Sequence, residues 1–273
     1  MQPTLVIEAG RSERHYWKEL WRYRDLFLVL TWRDILVRYK QTVMGVTWAL
    51  LRPLLAAIVF TVVFGRLANL PSDGVPYPLL VFVAMLPWQF FSTGLNEASS
   101  SLISNVNMVS KVYFPRLIMP ISAVMVSLMD LLIAGIFAAA LMAWYGVSPD
   151  WRIVTLPFFI LLTFGAATGA GAWFAALNVK YRDFRYVVPF MLQLALYISP
   201  VGFTSGIVPE NWRLLYSLNP MVGVIDGVRW ALLGGPTPLY WPGLLLSIAV
   251  TVALLVTGIA FFRRTEKHFA DVI

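Results

Sequence analysis

Long apolar runs alternate with short polar stretches along this chain. Six runs read as membrane-crossing helices: Val43 to Gly65, Pro78 to Ser101, Leu117 to Trp144, Ile153 to Leu177, Val187 to Phe203 and Trp241 to Phe262. Crossing the hydrocarbon layer takes roughly 20 mainly apolar residues, because only a backbone that satisfies its own hydrogen bonds persists there. The fifth run is the shortest and the third the longest.

Two more apolar stretches do not fit that description. Between Arg14 and Lys40, residues Trp17, Trp21, Leu28, Trp32, Ile35, Leu36 and Tyr39 recur near one helical side, with Lys18, Arg22, Asp25, Arg33 and Arg38 interleaved. That pattern predicts an amphipathic helix lying in the membrane interface. From Ile207 to Gly235, Pro209, Glu210, Asn219, Pro220, Asp226 and Arg229 interrupt the apolar residues. This is too much polarity for a lipid-facing span, yet acceptable where protein or water surrounds the segment. It predicts a re-entrant helical hairpin on the extracytoplasmic side. Asn219 would cap its helix, Pro220 would fill the first helical position, and Gly234-Gly235-Pro236 would stop it. Asp226 and Arg229, three apart, are spaced to pair on that helix.

The expected fold is therefore an all-α polytopic membrane protein in one piece. Residues 1–42 form a cytoplasmic arm, 43–262 a six-span transmembrane domain with the external hairpin at about 207–235, and 263–273 a cytoplasmic tail. Composition agrees: 59% hydrophobic and 13% charged residues, with a mean hydropathy of +0.73, leave too little polar surface to coat a water-soluble body. The chain opens with Glu8, Arg11, Glu13 and Arg14 instead of a short apolar core, so no removable signal peptide is expected.

Cations set the orientation, because cytoplasmic loops retain Lys and Arg during insertion. Sixteen fall in the arm (Arg11, Arg14, Lys18, Arg22, Arg24, Arg33, Arg38, Lys40), the second loop (Lys111, Arg116), the fourth loop (Lys180, Arg182, Arg185) and the tail (Arg263, Arg264, Lys267). The other side has only Arg66, Arg152, Arg213 and Arg229. Both termini should thus face the cytoplasm. The pI near 9.8 then points to anionic lipid and not to nucleic acid.

Little in the chain supports catalysis. There is no cysteine, and the two histidines, His15 and His268, lie outside the apolar runs, so no thiolate chemistry, disulfide or histidine-based metal site is expected. No Gly-x-x-x-x-Gly-Lys-Ser/Thr phosphate loop occurs, which assigns any nucleotide-driven work to another polypeptide. Arg52 and Asp130 do need explaining, since an ionised side chain within a span is costly. Arg52, roughly 13 Å into the first run, has room to snorkel to cytoplasmic headgroups or to meet substrate. Asp130, mid-span, calls for an intramolecular hydrogen bond or a water-filled passage. Gly165-Ala-Ala-Thr-Gly169 and Gly171 allow close helix approach, within the chain or between copies.

Several phrases together resemble the membrane subunit of ATP-binding-cassette exporters for polysaccharides, the group that moves O-antigen, capsule or teichoic-acid chains. They are Trp32-Arg-Asp-Ile-Leu-Val-Arg-Tyr-Lys-Gln-Thr42 with Gly45 and Trp48-Ala-Leu-Leu-Arg-Pro-Leu54, then Lys111-Val-Tyr-Phe-Pro-Arg-Leu-Ile-Met-Pro120. Further on come Leu177-Asn-Val-Lys-Tyr-Arg-Asp-Phe-Arg-Tyr186, Ser199-Pro200, Leu218-Asn-Pro-Met221 and Arg229-Trp-Ala-Leu-Leu-Gly234. The resemblance implies a half-transporter: two copies enclose one passage, and two copies of a separate ATPase, carrying ATP and Mg, dock on the cytoplasmic face in a bacterial inner membrane. It implies a coupling surface at Asn105, Lys111, Arg116, Lys180, Arg182, Asp183 and Arg185. Arg38, Lys40 and Arg52 would receive the lipid pyrophosphate of a lipid-linked glycan. Trp88, Phe90, Phe91, Tyr113, Phe114, Phe174 and Tyr197 would line the channel, and Asn219, Pro220, Asp226, Arg229 and Trp230 would form an external gate. Asp183 alternatively pairs locally in an orientation signal.

Three other readings share some of these features. A related exporter for drugs or small lipids would have the same fold. An embedded enzyme acting on lipid-linked sugars would need acids, bases or metal ligands gathered at the interface. An ion-coupled carrier would want more than one mid-membrane acid and an internal repeat.

Overall fold

The computed structural model describes residues 16–40, 43–72, 74–234, 239–267 and 269. Arg11, Arg14, His15, Gln41, Thr42, Gly235, Pro236, His268 and the last residues of the tail lie outside the described residues. Every regular element among the described residues is helical. The arm forms α1 (Tyr16–Arg22) and α2 (Arg24–Lys40). The first run forms α3 (Val43–Phe60), whose last turns continue as a π-helix, Thr61–Leu67. Then come α4 (Tyr77–Ser104), a short α5 (Val106–Lys111), α6 (Ile118–Trp144), a 3-10 turn (Trp151–Thr155) leading into α7 (Leu156–Lys180), and α8 (Phe184–Ile198). The hairpin region gives α9 (Glu210–Tyr216) and α10 (Pro220–Leu233), and α11 (Trp241–Glu266) closes the bundle.

Proline within the first turn starts α4, α7, α10 and α11, where the missing N–H costs no helical hydrogen bond. The predicted cap at Asn219 is present, its side chain accepting from the Met221 N–H at 3.0 Å. Helix α10 stops at Gly234, whose φ of 75° suits glycine.

Among the described residues, five helices are long and apolar enough to cross a membrane: Leu50–Leu67, Tyr77–Ser104, Ile118–Trp144, Trp151–Lys180 and Trp241–Glu266. Expectation and structure part at the fifth run. Helix α8 starts three residues earlier than predicted and ends at Ile198, because Ser199 precedes Pro200 and must leave the α region. Its 15 residues rise about 22 Å, short of a full hydrocarbon thickness of about 30 Å.

Helix α4 forms the centre of the bundle, its residues from Leu79 to Leu86 almost wholly enclosed by α6, α7 and α10. The small residues of α7 make close seams with α4 and α11. A Cβ on Gly258 of α11 would fall 2.1 Å from the Gly169 carbonyl oxygen, and one on Gly171 would fall 2.6 Å from the Ala98 Cβ of α4. The Gly165 to Gly171 stretch therefore packs helices within one chain.

Candidate functional site

The arm has two unlike faces. Tyr23, Phe27, Leu30, Thr31, Ile35, Arg38 and Tyr39 turn toward the bundle, whereas Trp21, Leu28, Val29, Trp32, Leu36 and Val37 are exposed beside Arg22, Arg24 and Lys40. Aromatic and aliphatic groups among cations suit the headgroup boundary. The end of α2 reaches α6 as deep as Asp130, about 18 Å of helix rise from Ile118. There the Tyr39 hydroxyl donates to the Asp130 carboxylate, and Arg38 Nη2 lies 2.9 Å from Asp130 Oδ2. Burial and this carboxylate push the Tyr39 phenol up, so it stays a donor. The mid-span acid is thus answered by an intramolecular partner.

Arg52 of α3 opens toward the same place. With Arg38, Asp130, Gln89 and Thr93 it lines a cavity of about 250 Å³ whose apolar walls include Met85 and Leu131. Arg52 is exposed and makes no hydrogen bond or ion pair among the described residues. Lys40 stands apart on the outer face of α2, near Trp32 and Leu36.

At the end of the bundle where α4, α7 and α11 finish, a second cluster forms around Glu266. Its Oε2 accepts from the Tyr16 hydroxyl at 3.1 Å, and its Oε1 from the Arg116 backbone N–H at 2.7 Å. Arg116 Nη1 also donates to the Glu266 carbonyl at 2.8 Å, and the Arg263 guanidinium lies 4.5 Å from the Tyr16 ring centroid. Burial, then the neighbouring carboxylate, raises the Tyr16 pKa well above its usual value. Sequence reasoning missed Glu266. An acid flanked by Arg263, Arg264 and Lys267 was the available sign.

The predicted coupling residues divide. Asn105 and Arg116 are committed within the chain: the Asn105 amide donates to the Ser101 carbonyl at 3.0 Å and its oxygen accepts from Arg33 at 3.2 Å. Lys111, Lys180, Arg182, Asp183 and Arg185 are all exposed at that same end. Lys180 lies over the Tyr181 ring at 5.1 Å, while Asp183 forms no ion pair among the described residues, so its predicted local pairing is absent. Next to them, the buried Asn178 amide donates to the Ser99 carbonyl at 3.0 Å, fastening the end of α7 to α4.

The predicted channel aromatics also divide, and three need correcting. Trp88, Phe90 and Phe114 are at most 4% exposed, because α4 sits at the centre and the second loop folds under the bundle; their rings are core and face no passage in this chain. Phe91 and Phe174 are half-buried, and Phe174 tilts against Phe184 at 6.0 Å. Tyr113 and Tyr197 are exposed. Helix α8 adds Tyr186 and Phe190, which sequence reasoning overlooked, on the same open face as Tyr197.

In the hairpin, Arg229 is 1% exposed. Its Nε donates to the Leu80 carbonyl at 3.2 Å, Nη1 to Phe203 at 2.8 Å and Nη2 to Val201 at 2.9 Å. The Asp226 carboxyl feels the Arg229 charge, as their spacing predicts, and the guanidinium also binds main chain of α4 and of the turn after α8. Asp226 is hydrogen-bonded to Ser205. The Asn219 amide donates to Ser199 Oγ at 2.9 Å, Pro220 occupies the first turn of α10, and the Trp230 ring carries the Arg152 guanidinium at 5.0 Å. Among the described residues no three His, Cys, Asp or Glu side chains gather as a metal site.

The arrangement defines a multi-pass helical membrane protein whose polar groups stitch helices together at both ends, with a cavity lined by Arg38 and Arg52 between arm and bundle. The chain belongs to the ABC-2 type transporter family, whose profile matches residues 25–233. It is 30% identical over 260 residues to an O-antigen export system permease protein, RfbA, of Myxococcus xanthus, covering 94% of this chain and 98% of that one. A Klebsiella pneumoniae protein of the same name is 27% identical over 254 residues, covering 91% and 95%. The polysialic acid transport protein KpsM of Escherichia coli is 22% identical over 242 residues, covering 86% and 91%.

Proposed function

We propose that this chain is the membrane-spanning subunit of an ATP-driven exporter that moves lipid-linked polysaccharide, of the O-antigen, capsule or teichoic-acid type, outward across a bacterial inner membrane. The observation that carries this reading is a family match across most of the chain together with near full-length relatives named for O-antigen export. Two copies enclose the passage, and a separate ATPase, also in two copies, supplies ATP and Mg chemistry. The exposed cations Lys111, Lys180, Arg182 and Arg185 offer that partner a docking surface on the cytoplasmic side, where both termini lie. Helix α8 with its flanking turns makes the sixth crossing, and α9 with α10 forms the re-entrant external gate. The open face of α8, with Tyr186, Phe190 and Tyr197, gives flat rings to a sliding sugar chain. Arg38 and Arg52 receive the lipid pyrophosphate by charge-assisted bonds, while Lys40 on the outer face of α2 meets lipid headgroups.

The test is to co-express the chain with its candidate ATPase, purify the complex and measure ATP turnover with and without lipid-linked glycan. Stimulated turnover supports the reading. Failure of the two proteins to co-purify would sink it.

A further inference from the structure

The cavity between arm and bundle contains an acid that a simple anion receptor would not want. Arg38 and Arg52 come from neighbouring elements and line one space together with the neutral Gln89 and Thr93, and Asp130 lies against Arg38 in the same lining. Asp130 occupies the Arg38 guanidinium at 2.9 Å and also holds the Tyr39 hydroxyl. Arg52 has no such partner among the described residues. The side chains of Arg38 and Asp130 are only 29% and 16% exposed, so neither charge is easily left alone. The cavity, about 250 Å³, has room for a phosphate or diphosphate head.

We propose that Asp130 is a resident stand-in for the phosphate or diphosphate headgroup of a ligand, and that the incoming anion displaces it from Arg38 and so releases the end of the arm from α6. This deepens the proposed function and rests on its assignment of Arg38 and Arg52 to the substrate head. The guanidinium fork binds a carboxylate or a phosphate oxygen pair with similar geometry, so the two compete for it. Arg52 supplies the second cation that the carboxylate alone does not use. Once Arg38 turns to the ligand, the Tyr39 hydroxyl is the remaining hydrogen bond from the end of α2 to Asp130 among the described residues, and the hold on α6 is weakened. Headgroup binding and arm docking then oppose each other, and each weakens the other by the same factor.

The chain has no cysteine, so introduced pairs report cleanly. The full chain carrying Val37→Cys and Ile136→Cys, both exposed positions on α2 and α6, is spin-labelled in phosphatidylcholine nanodiscs and titrated with farnesyl diphosphate, farnesol or inorganic pyrophosphate. Farnesyl diphosphate should lengthen the label distance and farnesol should not. An equal response to pyrophosphate assigns the site to the free anion; a response to farnesyl diphosphate alone assigns it to a lipid head. Asp130→Asn should tighten farnesyl diphosphate binding about fivefold and lengthen the distance without ligand. Arg52→Gln should weaken binding about tenfold and leave the resting distance unchanged. Should Asp130→Asn fail to fold, Tyr39→Phe keeps the acid and should still tighten binding about twofold. An unchanged distance at saturation, an equal effect of farnesol, or weaker binding in Asp130→Asn or Tyr39→Phe would overturn the proposal. No ATPase or export is read, so these results stand apart from the test of transport.

Discussion

Helices α7 and α8 are joined by only three residues, and both are apolar, yet they sit in the molecule in opposite ways. Helix α7 buries an unbroken run from Gly165 to Ala172, whereas α8 buries Val188 alone. Side-chain size makes the difference. The glycines and alanines of α7 let α4 and α11 approach to backbone contact, while α8 points Phe190, Met191, Leu194 and Tyr197 outward. In a membrane, burying an apolar side chain gains little over leaving it in lipid, so close packing decides which helix is central. Hydropathy finds both helices. Only the distribution of small residues tells them apart.

The sharpest way to break this comparison is to crowd the inner seam. Gly258→Val should cost about 3 kcal/mol or more, seen as thermal unfolding of the reconstituted protein at lower temperature, because its Cβ would overlap the Gly169 carbonyl, 2.1 Å away. A variant as stable as the parent would mean that α7 and α11 do not meet there. Next comes Arg229→Met, which strips donors from the Leu80, Val201 and Phe203 carbonyls and should cost about 2–3 kcal/mol in the same assay, with Arg229→Lys recovering part of it. Smaller again is Glu266→Gln, expected to cost about 1 kcal/mol by turning charge-assisted bonds to Tyr16 and Arg116 into neutral ones. On the outer helix the prediction reverses in kind. Phe190→Ala with Tyr197→Ala should shift the unfolding of one chain by less than about 0.5 kcal/mol, yet slow export of the glycan. A large loss of stability there would erase the distinction between the two helices.

What could be read in the sequence was local or periodic. The four long runs that became α4, α6, α7 and α11 follow from hydropathy, and the Asn219-Pro220 start of α10 follows from capping chemistry. The end of α8 was within reach too, since Ser199-Pro200 was visible, but an apolar Val201 to Phe203 extended the predicted span past it. Partners distant in sequence were not legible. Tyr39 meets Asp130 across 91 positions and Arg229 meets Leu80 across 149, and no spacing rule encodes either. Nor does an aromatic residue announce its direction. Trp88 faces the core only because α4 is enclosed on nearly every side, a property of its neighbours.

The contact between Tyr16 and Glu266 joins residues 250 positions apart. A ribosome adding roughly 5 to 20 residues each second needs about 12 to 50 s to travel that distance. Throughout that interval the arm has emerged while the carboxylate that holds it has not yet been made. Its exposed tryptophans then have lipid as their first available partner; the far end of α2 can meet Asp130 once α6 is made, but the Tyr16 end waits for the last long helix. Synthesis of α11 is thus also the moment at which the first helix of the arm is fastened, and a nascent chain stalled before α11 would hold its arm at Asp130 while the Tyr16 end stayed loose.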